Sequence, residues 1–147
     1  QAFRASCVRF ENLSHTALYN SRQFHKSIVK GENMAEDCIF CKIAAGEIPA
    51  DVVYEDDHIL AFRDINPQAP VHIVIIPKTH FQSIMSVPAG DPVIGRIHQA
   101  ANRIALREGI ADTGFRLVNN CGEDGGQTVP HLHYHLLGGR YMEWPPG

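Results

Sequence analysis

Hydrophobic positions recur with two different periods along the chain, and the switches between them mark out the elements. Over residues 92–108, Val93, Ile97, Ala100, Ala101, Ile104 and Ala105 return every three or four places, with Arg96, Arg103 and Arg107 between them. This is the period of an amphipathic helix. Asp91 supplies an N-cap, Pro92 suits the first turn and Gly109 supplies the stop. A shorter helix is predicted over 38–45, ended by Gly46 and the Pro49 that follows. Elsewhere the pattern is that of strands. Residues 52–55 and 59–63 flank a tight Asp56-Asp57 turn and read as a hairpin. Residues 72–76 are a β-branched run, predicted to be a buried central strand that ends at Pro77. Residues 115–119 and 131–137 supply two more strands, separated by a glycine-bearing loop at 122–126. Strands in hairpin order with one long and one short helix predict an α+β domain with a five-stranded, largely antiparallel sheet.

Composition changes this picture mainly at the N-terminus. A chain of 147 residues fits one domain with a core that needs no disulfides. Residues 1–33 lack hydrophobic periodicity and carry five Lys/Arg against two acids. They are read as an extension, disordered or derived from upstream sequence, preceding a domain over 34–147. That domain carries eight Lys/Arg against fourteen acids, which argues against non-specific nucleic-acid binding. The longest apolar stretch, 71–76, is far too short to cross a bilayer. With no signal peptide recognisable, the expected location is the cytoplasm. There a Cys38-x-x-Cys41 pair reads as a metal site or a redox pair, with two buried free thiols as the plain alternative.

The segment 131–137 carries the chemistry. His131, His133 and His135 alternate with Leu132, Tyr134 and Leu136. In a strand, alternate side chains share a face. The apolar set can pack on the core while the imidazoles line a cleft. A single histidine is usually structural, but three at period two are hard to explain by packing. A nucleophile with its helpers and a histidine metal site both remain open at this point.

The pattern H-φ-H-φ-H-φ-φ resembles the histidine-triad superfamily. The resemblance extends over 38–147 and includes segments 62–70, 72–80 and 124–128. The ending Gly138-Gly139-Arg140-Tyr141-Met142-Glu143-Trp144-Pro145-Pro146-Gly147 is similar to that of the nucleotide-binding Hint branch. The resemblance implies a homodimer whose two sheets join into ten strands. It implies that His133 is the nucleophile, oriented by the backbone carbonyl of His131, and that His135 binds the phosphate oxygens. Thr128, where many relatives carry Ser, would lie by the leaving group. Asp64 would hold the ribose hydroxyls, and Phe62 and Ile65 would line a purine pocket. Asn120, Gly126, Gln127 and Val129 would surround the phosphate, and Trp144 would reach the partner's site. Arg63 stands where relatives often have His.

Zinc wants four N/S ligands in a tetrahedron. Cys38 and Cys41 offer two, and His72 and His131, each at the start of a strand, are the expected others; some members of the superfamily carry such a set. The metal would be structural. His80 is read as a surface or structural residue. The leading functional expectation is a purine nucleoside phosphoramidase, acting on adenosine 5′-phosphoramidate-type substrates through a nucleotidyl-histidine. A dinucleoside polyphosphate hydrolase or nucleotidyl transferase, and a non-catalytic nucleotide-binding scaffold, are the alternatives.

Overall fold

The computed structural model describes residues 37–146; the extension over 1–33 lies outside the described residues. The elements run α1 (Ile39–Ala44), β1 (Val52–Glu55), β2 (Ile59–Arg63), β3 (Val71–Pro77), a 3-10 turn at Ile84–Ser86, α2 (Val93–Arg107), β4 (Phe115–Val118) and β5 (Tyr134–Gly138). The five strands form one sheet in the order β1-β2-β3-β5-β4, and every neighbouring pair is antiparallel. The fold class is therefore the α+β arrangement expected. The order departs from a run of simple hairpins. After β3 the chain crosses through α2 to form the edge strand β4, and β5 then returns between β3 and β4.

Each face of the sheet buries its own apolar set, as strand alternation requires. One face carries Ile59, Ala61, Ile73, Ile75, Leu132 and Leu136. Against it lies the apolar stripe of α2, formed by the six residues whose spacing predicted that helix. Asp91 caps α2 by accepting a hydrogen bond from the Val93 N–H at 2.8 Å. The other face carries Leu60, Phe62, Val74 and Ile76, covered by Phe40 and Ile43 of α1. It is this second face that continues into the histidines.

β5 is shorter than the predicted strand. Ladder pairing begins at Tyr134, opposite Ile75, so His131–His133 approach the sheet without joining the β3 ladder. Their backbone groups are used otherwise: the Leu132 N–H donates to the Phe81 carbonyl at 2.6 Å and the Asn119 amide donates to the His133 carbonyl at 2.8 Å. Arg63 also finds a role. Its guanidinium forks onto the Glu108 carboxylate at 2.9 and 3.1 Å, tying β2 to the end of α2 on the face away from the histidines.

Candidate active site and metal centre

The three histidines meet different neighbours. His133 is 3% exposed, packed edge-on to Phe40 and to His135. Its Nδ1 lies 2.7 Å from the His131 carbonyl. A carbonyl can only accept, so Nδ1 carries the ring proton and Nε2 keeps a free lone pair. His135 is less deeply buried than His133. Burial, with His133 and His72 alongside, pushes its pKa down to about 4, so the ring is neutral at neutral pH.

His131 turns the other way. Its Nε2–H donates to the Pro77 carbonyl at 2.9 Å, which leaves Nδ1 as a lone pair. That lone pair points at two sulfurs, Cys38 Sγ at 3.3 Å and Cys41 Sγ at 3.5 Å. The fourth member is His80, whose Nδ1 is 3.3 Å from Cys41 Sγ. Tetrahedral zinc with standard bond lengths sets its N and S ligands roughly 3.6 Å apart, close to these spacings. The back-side bond from His131 to a carbonyl is the usual support of a metal-ligating imidazole. Burial and the neighbouring Cys38 raise Cys41 to about 11. Burial lowers His131 to about 4. The imidazole is thus ready to ligate, whereas the thiolate needs a cation beside it. The donor set fits zinc.

His72 is not part of this group, which corrects the expected ligand set. It lies with Asp64 and His135 instead, its Nε2 2.9 Å from His135 Nδ1 and 3.3 Å from Asp64 Oδ2. Strand register is the reason. His72 pairs with Leu137 at one end of β3, whereas His131 reaches the Pro77 end. A strand rises about 3.3 Å per residue, so the two ends are roughly 17 Å apart. His80, three residues beyond Pro77, is at the correct end.

The other predicted residues divide. Asn120, with Gln68, His72 and His135, lines a hollow of about 220 Å³ beside the histidine face. Asp64 Oδ1 accepts the Asn66 N–H at 2.8 Å, and its Oδ2 lies 3.3 Å from His72 Nε2. Phe62 is buried against Phe40, while Ile65 is fully exposed. Trp144 is exposed too. Gln127 braces the loop that precedes the triad. Its amide donates to the Gln82 and Val129 carbonyls at 2.7 and 3.0 Å, and its oxygen accepts the Gly122 N–H at 3.2 Å. The loop has no space for a larger residue at Gly125, where a Cβ would strike the Cys121 carbonyl, and Gly126 adopts a positive φ. Thr128 and Val129 follow, Thr128 exposed.

A model of the HIT domain matches residues 45–142. The chain belongs to the HIT domain family. Among HIT proteins it is 52% identical over 108 residues to the purine nucleoside phosphoramidase of Escherichia coli K12, covering 73% of this chain and 91% of that one. It is 51% identical over 114 residues to a 14 kDa zinc-binding protein of Brassica juncea, covering 76% of this chain and all of the relative. The fold agrees with a HIT family hydrolase from Legionella pneumophila, with a TM-score of 0.74 and 55% identity over 76% of this chain and all of that one. The HIT relatives support hydrolase activity on nucleotides. No helix among the described residues is long and apolar enough to cross a membrane.

Proposed function

We propose that this HIT protein is a purine nucleoside phosphoramidase, hydrolysing adenosine 5′-phosphoramidate-type substrates to a nucleoside monophosphate and an amine. The observation that carries this reading is the 2.7 Å contact of His133 Nδ1 with the His131 carbonyl, which leaves Nε2 as the nucleophile. Attack at the α-phosphorus forms a P–Nε2 bond as the P–N bond of the substrate breaks, and the departing amine takes a proton from solvent, which the hydrolysis step returns. Water then cleaves the P–Nε2 bond, releasing the monophosphate and restoring His133. His135 donates to the phosphate oxygens, and the Thr128 hydroxyl stands by the leaving group. Asn120, Gly126, Gln127 and Val129 surround the phosphate, and Asp64 accepts from the ribose hydroxyls. The identity to a named phosphoramidase over most of the chain supports the P–N bond as the target.

Turnover of adenosine phosphoramidate should exceed that of diadenosine polyphosphates by at least about tenfold in kcat/KM, a margin of roughly 1.4 kcal/mol in transition-state binding. Equal or reversed preference assigns the protein to the polyphosphate hydrolases instead. Nucleotide binding with no turnover of either substrate makes it a scaffold.

Zinc held by Cys38, Cys41, His80 and His131 would be structural. Four protein ligands leave no position for a substrate or an activating water. We propose further that two copies join through β4 into a ten-stranded sheet, with Trp144 reaching the partner's site. β4 is the edge strand on that side and its residues are only half-buried. Sedimentation should give twice the chain mass, and a species at the chain mass rules this out.

A further inference from the structure

Asp64, His72 and His135 place a carboxylate oxygen and two imidazole nitrogens within 4.8 Å of one another, which has the outline of a second metal site. The ring proton of His72 argues against that outline. His72 Nδ1 lies 3.0 Å from the Gln68 backbone N–H, a group that can only donate. Nδ1 must therefore be the lone pair, and the one proton of the neutral ring sits on Nε2. A metal on Nε2 would drive that proton to Nδ1, straight at the Gln68 N–H. The site's chemistry opposes a cation.

The same constraint propagates. The His72 Nε2–H points at His135 Nδ1, 2.9 Å away, and is shared with Asp64 Oδ2 at 3.3 Å. His135 Nδ1 cannot also carry a proton, because two N–H groups would then face each other. The other possible acceptor for such a proton, Asp64 Oδ2, is 4.0 Å from it, beyond hydrogen-bond reach. The ring proton of His135 is thus fixed on Nε2. Its neighbour His133, held by a carbonyl, has the opposite tautomer. The two imidazoles side by side present unlike faces, one a lone pair and one an N–H.

We propose that His72 is a positioning residue: through the chain Gln68 N–H, His72, His135 it locks His135 as an Nε2–H donor, so that a proton and not a second lone pair meets the phosphoryl group. This rests on the triad acting as the phosphoryl-transfer site. Asp64 takes part of the His72 Nε2–H, its Oδ2 lying 3.3 Å away.

The test is to read tautomers directly in the zinc-loaded, uniformly 15N-labelled full chain, by long-range 1H–15N correlation of the imidazoles at pH 7. His135 and His72 should each show a single Nε2–H form, and His133 the Nδ1–H form. His72→Phe, which removes the donor, should leave His135 as a mixture and lower kcat on the order of 10²-fold, the scale of one proton-donor contribution. His72→Gln keeps an N–H for His135 and an oxygen for Gln68, and should restore the single form and most of the rate. An Nδ1–H form of His135 in the parent protein overturns the proposal. So does an unchanged His135 tautomer in folded His72→Phe, or a second cobalt ion bound at this site in the zinc-loaded chain. These spectra need no turnover, so failure of the proposed reaction and failure of the positioning role are read separately.

Discussion

Replacing His133 with alanine should reduce phosphoramidate turnover by on the order of 10⁴-fold or more, with the fold and the zinc content intact. The size follows from what is lost. Without the imidazole there is no covalent path, and the remaining groups only bind and polarise the phosphate. His133→Asn is the sharper variant, since its side-chain N–H can still donate to the His131 carbonyl and preserve the local packing against Phe40. It should be as inactive as the alanine variant. Parent enzyme mixed rapidly with substrate should accumulate a phosphorus species attached to histidine that neither variant forms. Residual activity within about tenfold of the parent would remove His133 from the role of nucleophile.

Removing the metal should have the largest effect on stability. A ligand present at a thousand times its Kd adds about 4 kcal/mol to the folded state. For a domain of this size that corresponds to roughly 10–20 °C in Tm. A chelator-stripped sample should melt lower by this amount, and one equivalent of zinc should restore it. His80→Ala and Cys41→Ser should each copy the stripped protein, whereas His72→Ala should retain its zinc. Zinc loss from His72→Ala with retention in His80→Ala would reverse the ligand assignment. A further effect is expected on activity. His131 offers Nδ1 to the cysteine pair and its carbonyl to His133, so disturbing the cysteine–histidine group should slacken the bond that sets the tautomer of His133.

The long helix, the β2 and β3 strands and the facing of the histidines were legible because each rests on local periodicity. The six apolar positions of α2 are the residues it buries, and Asp91 is its capping acceptor. The division of labour among the histidines was legible only in part. His72 was expected at the metal because it opens a strand, as His131 does. In an antiparallel pair the start of one strand lies beside the end of the other, so His131 needed a partner from beyond Pro77. His80 was in view there, but an isolated histidine after a proline has no periodic signal. Phe62 and Ile65 illustrate another limit. The pocket role of both comes from the resemblance alone, while alternation along β2 accounts only for Phe62 lying in the apolar cluster under Phe40 and Ile65 lying past the strand's end. The strand order was not legible at all, since nothing local says that β5 inserts between β3 and β4.

That insertion has a consequence for biogenesis. During synthesis β3 emerges early, but one of its two neighbours is β5, the last strand of the domain to leave the ribosome. Until then the nascent chain holds an apolar central strand with one open edge, the situation in which strands recruit wrong partners. The same late arrival brings His131 to the cysteines and His135 to Asp64 and His72. A ribosome stalled before that final stretch would release a chain lacking both the histidine that faces the cysteine pair and the one that meets Asp64 and His72.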